Sequence, residues 1–214
     1  MFPISHFNIT KTPFYYYDKT LLSNTLAKLI RLAGERNYHV HYAVKANANP
    51  EILKLIAASG IGADCVSGGE IKAALEAGFP AKKIVFAGVG KADWEIEYAL
   101  EKKIFCFNVE SAEELSVIEE LAKKKENIAS IALRINPNID AHTHEYITTG
   151  LSENKFGIPI EMLDSIFSQI QRSPHVQLVG FHFHIGSQIL NLETFHVLCE
   201  RINYKTICRS AIFK

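Results

Sequence analysis

Tyr42-Ala43-Val44-Lys45-Ala46-Asn47 closes an apolar, strand-like run, His39 to Val44, on a single lysine flanked by small residues. A lysine where a strand meets its loop is expected to be partly stripped of water, and desolvation shifts an ammonium toward the neutral amine that can attack a carbonyl. Imine chemistry is one reading of Lys45. The plainer reading is a side chain that snorkels from the end of a barrel strand, and only the rest of the chain separates the two.

Outward from this stretch, short β-branched or aromatic runs alternate with segments of helical period. Strands are expected at His39 to Val44, Ile61 to Val66, Lys83 to Ala87, Ile104 to Val109, Ala129 to Ile135 and Val176 to His184. Helices are expected at Pro50 to Ser59, Gly68 to Ala77, Asp93 to Lys102, Ala112 to Lys125, Ile160 to Gln171 and Leu192 to Asn203. Ser67, Asp93 and Ser111 stand where N-caps belong, and Ser111-Ala112-Glu113-Glu114 has capping-box spacing. Ahead of the repeat, Thr12 to Asp18 reads as an extended aromatic segment, with Asp18 capping a helix over Leu21 to Ala33.

About six β-α units of this kind imply parallel strands joined by right-handed crossovers. The candidates are a doubly wound sheet and a (β/α)8 TIM-type barrel. No G-x-G-x-x-G follows the first strand, which removes the main sign of a dinucleotide fold. Polar residues gather instead at the C-terminal ends of several strands, the habit of a barrel. The barrel is expected to be incomplete, because eight units in about 250 residues are typical and this chain has 214 residues.

The chain is 48% hydrophobic, and its 23 Lys and Arg balance its 23 Asp and Glu. No charge excess recommends nucleic acid or a membrane surface as a partner, and a cytoplasmic location is the default expectation. Cys65, Cys106, Cys199 and Cys208 lack C-x-x-C spacing and read as reduced thiols without chemistry.

Beyond Lys45, Asp64 lies near the end of the second strand and is followed by Ser67-Gly68-Gly69-Glu70, whose helix-start N–H groups would suit an anion. Arg134 closes the fifth strand and is expected to point a cation at the barrel mouth. In Phe181-His182-Phe183-His184-Ile185-Gly186-Ser187-Gln188, alternation places both histidines on one strand face, and Gly186-Ser187 could offer a backbone N–H and a hydroxyl to a phosphate. His-x-His on a barrel strand is also a metal-ligand pattern, so a metal-dependent hydrolase built on His182 and His184 is a rival. His142 and His144 fall in a long insert, 136–158, of the kind that serves as a lid.

Five motifs in one order resemble the diaminopimelate decarboxylase family of fold-type III pyridoxal-phosphate enzymes, a group that includes ornithine and arginine decarboxylases and alanine racemases. They are Tyr42 to Asn47, Ala63 to Glu70, Arg134 to Pro137, His144 to Gly150 with Lys155 to Gly157, and His182 to Gln188. The resemblance implies an alanine racemase-like barrel that binds pyridoxal 5'-phosphate, with Lys45 condensing with the cofactor aldehyde, His184 stacking on its ring and Gly186 and Ser187 near its phosphate. Asp64 and Arg134 would tune the groups around it. The implied reaction is decarboxylation of meso-diaminopimelate to L-lysine, with no metal and with a homodimer for the full-length family. The alternatives are another basic amino-acid decarboxylase of the ornithine or arginine type, or a chain that holds the cofactor without turnover.

The resemblance covers residues 12 to 203. A leading segment and helix (1–36), a partial barrel (37–203) and a divergent tail (204–214) are expected, with the family's C-terminal β-domain and its later-strand glutamate missing. A truncated or frame-shifted chain follows from that reading, expected to be inactive as it stands and prone to aggregate through unpaired strand edges.

Overall fold

The computed structural model describes residues 3–137, 156–187 and 189–203. The chain forms two compact units, Met1–Val40 and His41–Lys214. In the first, α1 (Ile4–Phe7) and α2 (Lys19–Gly34) flank the extended aromatic stretch, and the Phe7 ring lies 5.4 Å from Phe14 and 5.1 Å from Tyr16. Leu21 N–H donates to Asp18 Oδ1 at 2.9 Å. Helix α2 therefore starts at Lys19, directly after its cap, and not at the first apolar residue.

The second unit alternates strand and helix throughout its described residues. In order come β1 (His41–Ala43), α3 (Pro50–Ala58), β2 (Gly62–Cys65), α4 (Gly68–Glu76), β3 (Ile84–Phe86), α5 (Asp93–Lys102) and β4 (Cys106–Val109). Then follow α6 (Ala112–Lys124), β5 (Ala129–Asn136), β6 (Ile158–Pro159), α7 (Leu163–Gln171), β7 (Val176–His182) and α8 (Glu193–Asn203). All strand pairs are parallel, and neighbours follow chain order from β1 to β5; β7 then pairs β5, and the two-residue β6 pairs the C-terminal end of β5. A doubly wound sheet would reverse its strand order at a switch point. This sheet never reverses, so it is an arc of a TIM-type barrel, and no helix among the described residues is long and apolar enough to cross a membrane.

Parallel register divides the arc into two faces, since paired residues share a face and successive residues alternate. Ala63, Cys65, Ile84, Phe86, Phe107, Val109, Ile131 and Leu133 line one face and are all buried. Phe181 belongs to that face too, and its ring meets Phe167 of α7 edge-on at 6.2 Å, which identifies the helix-covered side. Burial of each large apolar side chain here contributes about 1.5–3 kcal/mol. The opposite, inner face carries Ala43, Asp64, Val85, Cys106, Asn108, Ala132, Arg134, Gly180 and His182.

One irregularity decides what that inner face contains. Register runs Ile131↔Leu178 and then Ala132↔Gly180, so Val179 is an extra residue in β7. Without this bulge Arg134 would pair with Phe181, and His182 would turn toward the helices. The bulge places His182 beside Arg134.

Three local expectations are corrected. Helix α5 is capped at Ala92, with Asp93 its first helical residue, because Glu95 reaches back to the Ala92 N–H at 3.0 Å. The last strand ends at His182, so His184 lies beyond the ladder that would have held it to the same face. Residues 160–162 form a 3-10 turn, and α7 begins only at Leu163.

Candidate functional site

The C-terminal ends of the strands form one rim, and the polar inner face opens onto it. Lys45 sits in a 3-10 turn, Val44–Ala46, immediately after β1. It is exposed, which corrects the expectation of a lysine stripped of water. The ladder stops at Ala43, and the turn swings the side chain clear of the sheet. Lys45 is still within electrostatic reach of the rim, since its charge acts on both Asp64 and His184.

Asp64 stands on β2 in register with Ala43, two residues before Lys45. Burial raises its carboxyl above the ordinary carboxylate range, opposed by the Lys45 charge and reinforced by Glu70. Its Oδ1 is buried with no hydrogen-bond partner. His182 Nδ1 is the other such side-chain atom among the described residues. Burial pushes the His182 imidazole down to about 4, helped by Arg134, His184 and Lys91. His184 is also lowered, by burial, Arg134 and Lys45, with Glu110 acting in the opposite sense. Buried polar atoms are almost always paired, yet Asp64 Oδ1 and His182 Nδ1 are the two inner-face atoms among the described residues that still lack a partner. At Gly180, on the same face, an added Cβ would meet nothing within 4 Å.

Arg134 is a held cation on the inner face, paired with a carboxylate. Its Nη1 donates to both Glu110 oxygens, at 2.7 and 2.8 Å, and Glu110 is only 7% exposed. The guanidinium also lies over the Phe156 ring at 5.5 Å. That stacking depends on Gly157, whose φ of +95° and close approach to Arg134 leave no room for a Cβ, which would sit 3.0 Å from the Arg134 carbonyl oxygen.

The Ser67-Gly68-Gly69 turn is a strand-to-helix turn capped by Ser67, and two of its N–H donors are taken within the protein. Gly68 N–H donates to Glu95 Oε1 at 2.6 Å, and Glu70 N–H donates to Ser67 Oγ at 3.2 Å. The protein's own carboxylate and hydroxyl already occupy those donors. Gly186, at φ 141°, and exposed Ser187 begin the loop after β7 on the same rim, and among the described residues neither hydrogen-bonds to the charged cluster. Cys65 and Cys106 are buried, with thiols pushed up to about 12 and about 11, so neither is a ready nucleophile. No group of three or more His, Cys, Asp or Glu that could hold a metal ion is found among the described residues, which leaves His182 and His184 without a third donor of that kind there. His142, His144, Gln188 and the tail 204–214 lie outside the described residues.

A family model described as pyridoxal-dependent decarboxylase, pyridoxal binding domain, matches residues 23–207. The chain belongs to this family. Diaminopimelate decarboxylase of Bacteroides thetaiotaomicron is 58% identical over 204 residues, 95% of this chain and 53% of the relative. Among solved structures, the Helicobacter pylori diaminopimelate decarboxylase in complex with L-lysine is 43% identical with a TM-score of 0.80, covering 93% of this chain and 52% of that one. The M. jannaschii enzyme in co-complex with L-lysine is 39% identical with a TM-score of 0.81, covering 90% and 46%. The chain thus spans about half the length of these relatives.

Within the pyridoxal-dependent decarboxylase family fold, three rim residues escaped the sequence reading. Lys91, in the β3-α5 loop, has a side chain 1% exposed; its Nζ donates to Gly88 O at 2.7 Å, Asn108 O at 2.9 Å and Glu114 Oε1 at 2.6 Å, and lies 5.4 Å from the centre of the Phe86 ring. Glu114 Oε2 in turn accepts from Glu110 N–H at 2.8 Å. Burial raises the Glu114 carboxyl, offset in part by Lys91. The available signal was position: Glu110 directly follows Val109, the last residue of β4, and Val109 pairs with Leu133, the residue before Arg134. Ser111 does cap α6 through Glu114 N–H at 3.1 Å, as its spacing implies.

Proposed function

We propose that this chain supplies the pyridoxal-phosphate-binding half of a diaminopimelate decarboxylase, which releases CO2 from meso-diaminopimelate to leave L-lysine. The observation that carries the reading is an exposed lysine on the barrel rim beside an inner face with two buried, unpartnered polar atoms, in a chain 58% identical over 204 residues to one such enzyme. When bound, pyridoxal phosphate supplies an aldehyde for an amine and an electron sink for the carbanion left by decarboxylation.

Each residue then has a task at this site. Exposed Lys45 presents its amine where a ligand can reach it. Asp64 lies within its field and, held above the ordinary carboxylate range, is placed to take or give a proton. His184, an exposed residue whose imidazole is lowered by desolvation and by Arg134, would lie against the cofactor ring, and His182 offers its unpartnered Nδ1 from the inner face. Gly186 and Ser187 are assigned to the phosphate. Residues 37–203 form the binding domain in this reading, and a cytoplasmic homodimer belongs to the same proposal.

The test is CO2 release by the protein mixed with pyridoxal phosphate and each of meso-diaminopimelate, L-ornithine and L-arginine. Release from diaminopimelate alone supports the reading, and preference for either other amino acid moves the protein elsewhere in the family. Cofactor binding without release from any of the three favours a non-catalytic holder, a reading that draws on the half-length match.

A further inference from the structure

We propose that Glu110 is a positioning residue. By gripping one guanidinium nitrogen with both carboxylate oxygens, it pins Arg134 to the inner face beside His182 and sets the charge that the histidine pair presents to a ligand. This rests on the reading of the rim as the ligand site, but not on which ligand binds there.

The geometry carries it in three steps. Arg134 and His182 are register partners on adjacent parallel strands, so their side chains share a face. An arginine there would ordinarily swing to solvent on its long stem, yet Glu110 takes its Nη1 at 2.7 and 2.8 Å from a position only 7% exposed. The Glu110 backbone is anchored, because its N–H donates to Glu114 and Glu114 accepts from the fully buried Lys91. Hydrogen bonds thus run from Lys91 in the β3-α5 loop through Glu114 and the Glu110 backbone, and the Glu110 carboxylate in turn holds Arg134 on β5. The register partner of Arg134 is His182, which keeps an unpartnered nitrogen. The charged groups acting on His182 are Arg134, His184 and Lys91; those acting on His184 are Arg134, Lys45 and Glu110.

The test is an NMR pH titration of His182 and His184 in the cofactor-free 214-residue chain, with fold monitored by circular dichroism. Glu110→Gln should lower the His184 midpoint, because the one opposing carboxylate is gone, and Glu110→Asp should restore it. The double variant Glu110→Gln/Arg134→Gln leaves no buried charge unpaired and should raise the His182 midpoint above its wild-type value. If the folded double variant leaves the His182 midpoint unmoved, Glu110 and Arg134 are a structural clamp only and the proposal is overturned. Folded Glu110→Gln with an unchanged His184 midpoint overturns it equally. Neither result bears on cofactor attachment, which is read separately by covalent trapping at Lys45.

Discussion

The two faces of the barrel arc obey different rules. On the helix-covered face, register stacks Cys65, Phe86, Phe107 and Ile131 in one continuous buried row without a charged group. On the inner face β2, β4, β5 and β7 carry Asp64, Asn108, Arg134 and His182, and two of those side chains keep a buried atom unpaired. A protein tolerates such orphans, at about 1–3 kcal/mol each, where they serve a ligand. The difference teaches that stability is concentrated on one side of each strand and recognition on the other, one residue apart in sequence.

The largest effect should come from the covered face. Phe86→Ala removes a fully buried ring from the row and should cost about 3–5 kcal/mol in denaturant unfolding. A loss under about 1 kcal/mol would show that this face does not hold the arc together. Next comes the support beneath the rim. Lys91→Ala strands the Glu114 carboxylate and should cost about 3 kcal/mol, whereas Lys91→Met/Glu114→Gln, which removes both charges, should recover most of that. Equal losses in both variants would locate the effect in packing and not in the buried charge.

The inner face should respond to pH more than to truncation. His182 titrates at about 4 in the folded chain against an ordinary 6.5, so between those values the unfolded chain binds the extra proton and stability falls as pH falls. His182→Gln should flatten the stability profile across that window; an unchanged slope would mean that His182 is not held neutral by burial. Asp64 acts in the opposite sense, because its raised carboxyl favours the folded state as pH drops toward the ordinary carboxylate value. Asp64→Asn is the smallest case and should cost no stability at neutral pH, since it relieves a charge that burial disfavours.

Much of this was legible in sequence. Helical and strand periods located every described strand of the repeat except the two-residue β6, and for α5 the bounds Asp93–Lys102 coincide. Ser67, Ser111 and Asp18 cap as their spacing implies, because a cap is a local interaction between residues three apart. The failures share a cause, which is a partner far away in the chain. Arg134 is gripped by Glu110, 24 residues earlier, and Gly68 N–H is taken by Glu95, 27 residues later. Neither partner can be paired by period or spacing. The Val179 bulge is a third case, since strand alternation alone leaves open which face His182 occupies, and only the register against β5 decides it. Lys45 does follow the first strand, as the sequence implies, but its exposure depends on a turn that the flanking small residues did not announce.

The most direct measurement is covalent trapping of the cofactor: the chain is incubated with pyridoxal phosphate, reduced with borohydride, digested and mapped by mass spectrometry. A stoichiometric phosphopyridoxyl label on Lys45, lost in Lys45→Arg while the other lysines stay unlabelled, is the expected result. A label spread over surface lysines such as Lys54 and Lys72, with Lys45 no more reactive than they are, would contradict the assignment of the rim as the cofactor site.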